Sequence, residues 1–124
     1  MPQMIVISIV DDDSSVREST LDLIRSMGFS AEAFGGPDEF LESDFLHKTS
    51  CLIADMRMPG MSGLDLHNRL VALGTPIPTI LITAFPDDRD RTRALQVGVV
   101  SYMAKPFDEG ELLASIRAVS QSNG

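Results

Sequence analysis

Carboxylates, a hydroxyl and an ammonium stand where short apolar runs of this chain end. Asp11, Asp12 and Asp13 follow the Ile/Val-rich stretch that closes at Val10, and Asp55 follows Cys51–Ala54. Thr83 ends the run Thr79–Thr83, and Lys105 lies just past Val99–Met103. Two carboxylates ~4 Å apart repel by about 4 kcal/mol at an effective dielectric near 20, so several on one edge need a cation. Mg2+ takes oxygen ligands and suits a shallow site where it keeps several waters. An ammonium, a hydroxyl and a divalent cation together suit an incoming phosphoryl group, whose oxygens need positive charge and donors. A carboxylate can also be the nucleophile and form an acyl phosphate, and Asp55 is the natural choice. Taken singly, each residue has a plainer reading. Asp runs serve turns and helix caps, Thr favours strands, and a Lys before Pro is commonly surface. Their joint placement at strand ends is what points to a site.

The elements that must position them alternate strictly. Strands are expected over Met4–Val10, Phe29–Phe34, Cys51–Ala54, Thr79–Thr83 and Val99–Met103. A helix opens after Ser14 and Ser15, where Ser15 and Glu18 have capping-box spacing, and stops at Gly28. The second follows Gly35-Gly36-Pro37 and lines its inner face with Phe40, Leu41 and Phe45. Ser62 and Asp65 cap a third, with Leu66, Leu70 and Leu73 at helical spacing. The fourth carries Ala94, Leu95 and Val97, with Pro86 in its first turn, and Gly98 closes it. Asp108 and Glu111 cap a fifth holding Leu112, Leu113, Ile116 and Val119. Five strand–helix pairs mean an α/β, doubly wound parallel sheet covered on both faces. Such sheets bind ligands beyond the carboxyl ends of their strands, where the polar groups above are found.

Composition narrows the class. The chain has 124 residues, 44% hydrophobic and 23% charged, which is one ordinary soluble domain. Its net charge of −8 repels nucleic acid and anionic membranes. The single cysteine, Cys51, excludes an internal disulfide. The first apolar run is too short for a membrane span, and no Lys or Arg precedes Arg17, so neither a signal peptide nor a membrane segment is expected. A cytoplasmic location is the expectation. Residues 1–119 read as the domain, and Ser120–Gly124 as a polar tail or the start of a linker.

The set Val10-Asp11-Asp12-Asp13, Asp55-Met56-Arg57-Met58-Pro59-Gly60, Thr83-Ala84 and Lys105-Pro106-Phe107 resembles the receiver domain of bacterial two-component response regulators. The likeness spans Met4 to Val119 and is strongest to the FixJ-type branch, where a LuxR-type helix-turn-helix domain usually follows. It implies a flavodoxin-like receiver fold with strand order 2-1-3-4-5 and five helices. It implies that Asp55 accepts a phosphoryl group from a histidine kinase. Asp12 and Asp55 would ligate Mg2+, Asp11 would help through water, and the Arg57 carbonyl would be a further ligand. Thr83 would bond the phosphoryl group and Lys105 would pair with it. Tyr102 stands where the family has its rotating aromatic, and the Lys105–Pro106 bond is commonly cis. The face of the fourth helix, fifth strand and fifth helix would then serve homodimerisation or output. DNA would be met only through a separate domain, and no membrane would be met. The chain would catalyse only transfer to, and slow loss from, its own Asp55, so it is not expected to be an enzyme in the usual sense. Asp13 replaces the family's Glu, and Phe85-Pro86 is bulkier than the family's loop.

Other residues read more plainly. His47 and His67 lack partners at ligand spacing and are expected as surface or helix-face residues. Cys51 opens a buried strand as packing. Met56, Met58 and Met61 pack the loop or form an adaptable docking surface. Arg89, Arg91 and Arg93 among Asp87, Asp88 and Asp90 suggest a solvated, salt-linked face. Three other functions fit such a sheet less well. A phosphohydrolase commonly needs a carboxylate two residues past the nucleophile, where Arg57 stands. An interaction module independent of phosphorylation would not need the acidic set. A flavin domain is disfavoured, because the first loop is Asp-rich rather than rich in Ser, Thr and Gly.

Overall fold

The inner strands of the sheet are mainly apolar and buried on both faces, so the sheet must be covered on both sides. The computed structural model describes residues 5–122. Its elements are β1 (Val6–Val10), α1 (Ser14–Ser26), β2 (Ser30–Phe34), α2 (Pro37–Leu41) and β3 (Cys51–Asp55), then α3 (Gly63–Ala72), β4 (Thr79–Thr83), α4 (Asp88–Gln96), β5 (Ser101–Ala104) and α5 (Glu109–Ser122). All neighbours pair in parallel, in the order β2-β1-β3-β4-β5. The chain turns to one side after β1 and to the other for β3, so the crevice lies where β1 and β3 end side by side.

Alternate side chains feed two cores. Val10, Leu52, Ala54 and Leu81 meet Phe40 of α2, Leu66 and Leu70 of α3, and Ala94 of α4. Ile7, Ile9, Ile53, Ile80 and Ile82 meet Ile24 of α1 and Leu112 and Ile116 of α5. Phe40 is fully buried and sits edge-on to Phe34, with ring centroids 5.3 Å apart. Cutting such a ring back to Ala costs about 3–5 kcal/mol.

Several boundaries differ from the sequence expectation, each for a local reason. Asp13, not Ser14 or Ser15, caps α1: its Oδ1 accepts the Ser15 and Val16 N–H groups at 3.0 and 3.2 Å. Helix α2 ends at Leu41, so Phe45 packs on Phe34 from beyond the helix. Pro86 precedes the α4 cap, Asp87, and so stands outside that helix. Of Ala94, Leu95 and Val97 only Ala94 is buried, and Leu73 past α3 is exposed. Strand β5 starts at Ser101, because the Val99 N–H closes α4 onto the Ala94 carbonyl at 3.0 Å. Helix α5 runs to Ser122, past the expected start of the polar tail, while Met4, Asn123 and Gly124 lie outside the described residues. Among the described residues no helix is long and apolar enough to cross a membrane.

Candidate functional site

Three strands deliver the charged groups to one edge. Asp11 follows β1, Asp55 closes β3, and Lys105 follows β5. Lys105 Nζ donates to Asp55 Oδ2 at 3.1 Å and to Asp11 Oδ2 at 3.2 Å. These are the two ion pairs within 4.0 Å among the described residues. Burial would lower the Lys105 pKa, but Asp55 and Asp11 outweigh it and raise the value above that of a free amine. Burial pushes the Asp11 carboxyl above the ordinary carboxylate value, against the Asp13 N–H, and the charge of Asp55 adds to the rise.

Every polar group of Asp11 is engaged. Its N–H reaches the Phe34 carbonyl at 3.1 Å, and its carbonyl accepts from Arg17 Nη1 at 2.8 Å. Its Oδ1 accepts the Asp13 N–H at 2.9 Å, and Oδ2 takes Lys105. Asp55 is nearly as fixed, with Oδ1 accepting the Arg57 N–H at 3.1 Å. Close packing reinforces this. A Cβ added at Gly63 would lie 2.5 Å from the Asp55 carbonyl oxygen and 2.8 Å from Leu81 Cδ2, so only glycine lets α3 start against β3.

Asp12 completes an acidic group. One oxygen from each of Asp11, Asp12 and Asp55 lies within 4.8 Å of the others. Three carboxylates against one ammonium leave two negative charges, which a divalent cation neutralises. The donors are all oxygens, so the set fits Mg2+ by chemistry and by charge.

Thr83 and Tyr102 are not bonded to this cluster. The buried Thr83 Oγ1 accepts the Phe85 N–H at 3.1 Å. Tyr102 is 4% exposed, and its hydroxyl accepts the Asp87 N–H at 3.1 Å. The Arg57 guanidinium lies 5.7 Å over the Phe85 ring rather than on a carboxylate. The Lys105–Pro106 peptide bond is cis.

Other expectations change. His67 is buried, not a surface residue, and hydrogen-bonds through both ring nitrogens, whereas His47 is exposed. The α4 arginines form no ion pair within 4.0 Å among the described residues, and Arg91 instead lies 5.2 Å over the Tyr102 ring. Met56, Met58 and Met61 pack on the core beside α3. Arg17, Gly63 and Asp87 support the site without having been singled out for it. Arg17 has no sequence signal, since an Arg among the polar residues of α1 reads as solvated. Gly63 follows a capping Ser and reads as part of the loop.

Comparison with known proteins agrees with this geometry. Residues 7–117 match the family model described as response regulator receiver domain. Nodulation protein W of Bradyrhizobium diazoefficiens is 40% identical over 94% of this chain and 51% of its own length. Response regulator protein TodT of Pseudomonas putida is 44% identical over 91% of this chain and 50% of its own. The solved structure of FixJ-N superposes with a TM-score of 0.85 at 31% identity, over 96% of this chain and 95% of that one. The chain spans about half the length of the curated relatives it matches.

Proposed function

The chain belongs to the response regulator receiver family, and on that premise we propose that it is a phosphorylation switch whose acceptor is Asp55. The observation that carries this reading is the pair of hydrogen bonds from Lys105 to Asp11 and Asp55, which gathers an acceptor and a cation at one sheet edge. The donor is a histidine kinase. An Asp55 carboxylate oxygen attacks phosphorus, the phosphorus–nitrogen bond of the donor breaks, and the donor imidazole leaves with that electron pair. Asp11, Asp12, Asp55 and the Arg57 carbonyl would hold Mg2+, which when bound supplies positive charge to the phosphoryl oxygens. Lys105, freed from one carboxylate as Asp55 becomes an acyl phosphate, pairs with a phosphoryl oxygen.

The response starts at Thr83. Its hydroxyl accepts from Phe85, and that bond leaves its own proton to donate to a phosphoryl oxygen. Moving the hydroxyl draws the Phe85 N–H with it, and two residues on the Asp87 N–H is tied to Tyr102. The backbone turn over residues 85–87 thus connects the acceptor to the start of α4. Exposed Leu95 and Val100, beside a groove reaching Tyr102 and Phe107, offer the α4–β5–α5 face for a homodimer. Within a longer cytoplasmic regulator, this face would set the activity of a DNA-binding output domain of the helix-turn-helix kind.

The test is intact mass after incubation with acetyl phosphate, with and without Mg2+, beside Asp55→Asn. One phosphoryl adduct, dependent on Mg2+ and absent from the variant, is the expected result. An equal adduct on the variant would move the acceptor elsewhere. No adduct with acetyl phosphate or with a phosphorylated kinase would favour an interaction module of the same fold.

A further inference from the structure

Helix α4 is held differently at its two ends. Among its residues only Ala94 is buried, and residues 84–89 leading into it are all exposed. Its N-terminal end is tied to β5 through the Tyr102 hydroxyl and the Arg91 contact with that ring. Its C-terminal end is fixed more densely. The Val99 N–H returns to the Ala94 carbonyl at 3.0 Å, and the Val100 N–H joins the Thr79 carbonyl at 2.8 Å. Gly98 allows that close with φ 93°.

One side chain from another helix completes the fastening. His67 projects from the middle of α3 between the fully buried Leu66 and Leu70, and is itself 5% exposed. Its Nε2 lies 3.1 Å from the Val97 carbonyl, and its Nδ1 lies 3.0 Å from Thr79 Oγ1. A carbonyl only accepts, so the proton sits on Nε2. In the neutral ring Nδ1 then accepts from the Thr79 hydroxyl, whose single proton also faces the Ile77 carbonyl at 2.8 Å. The imidazole thus joins α3, the start of β4 and the end of α4. An apolar side chain of similar size would fill the space but leave the Val97 carbonyl without its donor.

We propose that His67 is the pivot of α4: the helix turns about its C-terminal end at Val97, while the end held by Tyr102 moves. The motion rests on the switch proposed above, whereas the pin does not. His67 is therefore a positioning residue for the output face, acting through the Val97 carbonyl and not on the phosphoryl group.

Two measurements test it. Nitrogen NMR of the wild-type imidazole should find Nε2 protonated and coupled to the Val97 carbonyl at neutral pH. A ring protonated on Nδ1 alone would overturn the pin. Amide exchange is then followed in the full chain. With acetyl phosphate and Mg2+ in excess, exchange at Arg89, Asp90 and Arg91 should change by about tenfold, with Val97, Gly98 and Val99 steady to about twofold. Equal acceleration at both ends would overturn the pivot. Without phosphate, His67→Leu should speed exchange at Val97, Gly98 and Val99 by about tenfold, and His67→Gln, which keeps a donor, should recover most of it. Thr79→Val, which removes only the hydroxyl behind the ring, should give a smaller rise at the same amides, so a poorly folded leucine variant still leaves a readable result. Unchanged exchange in the leucine or valine variant would overturn the pin. Should no phosphoryl adduct form, the switch fails, and the pin is still decided by these variants.

Discussion

The Tyr102 hydroxyl accepts the Asp87 N–H at 3.1 Å, so a buried ring on β5 holds the residue that caps α4. Asp87 in turn offers its Oδ1 to the Arg89 and Asp90 N–H groups, which makes the whole first turn depend on where Asp87 sits. Tyr102→Phe removes only the acceptor and keeps the ring under Arg91. Stability should fall by about 1 kcal/mol in urea unfolding, the worth of one net hydrogen bond. Amide exchange at Asp87 should quicken, while the acetyl phosphate adduct forms as before. A loss of adduct would mean that Tyr102 acts on the acceptor itself.

Lys105 is the cation of the cluster, and Lys105→Met would leave Asp11 and Asp55 facing each other. Their side chains are 1% and 10% exposed, so water can do little to relieve them. The metal-free protein should lose about 2–3 kcal/mol, less than for a fully enclosed pair because the ammonium itself is partly exposed. Mg2+ should then raise the melting temperature by more than it does in the wild type, since the site gains a negative charge. Thermal unfolding with and without Mg2+ measures both, and an equal rise would contradict the charge balance drawn from the three carboxylates.

Gly63→Ala places a methyl 2.5 Å from the Asp55 carbonyl oxygen, and that neighbour is backbone in a central strand. The start of α3 or the end of β3 must move. A loss of about 2–3 kcal/mol in chemical unfolding is expected, as for other overpacked sites, together with a slower acetyl phosphate reaction at Asp55. Wild-type stability in this variant would show that the approach is looser than its geometry.

Cys51 lies fully buried at the start of β3, and burial pushes its thiol from 9.0 up to about 12. The folded value is raised, so the stability from keeping this thiol neutral is fully present below about 9. It is lost as the pH climbs from 9.0 towards 12, where the unfolded chain ionises first. At pH 8 a thiol reagent should label the native protein on the order of a thousandfold more slowly than the urea-unfolded chain, because labelling waits for opening. Rapid native labelling would place Cys51 at the surface.

Much of the site is legible in the sequence, and for a physical reason. Asp11, Asp55, Thr83 and Lys105 each stand at or just past the end of a mainly apolar run, so strand position and chemistry can be read together. Asp13 shows the limit: Asp and Ser both cap helices, three candidates stood in a row, and the exit of the chain from β1 chose between them. Val99 looked like the start of a strand, but its N–H was taken by the end of α4. His67 hid for another reason. A histidine in an apolar helical pattern carries no sign of its partners, and these lie 12 and 30 positions further along the chain. The placement of Arg57 over Phe85 joins two loops, which no periodicity describes.

Lys105 and Asp11 meet across 94 positions of sequence. During synthesis, every aspartate of the site leaves the ribosome well before the ammonium that gathers them. Until β5 adds to the edge of the sheet, the carboxylates lack the ammonium that pairs with them. On the switch proposed above, a nascent or wrongly threaded chain would be a poor acceptor, however complete its acidic residues. Competence to take a signal would then arrive with the closing of the fold, and an unfinished regulator would stay silent by construction.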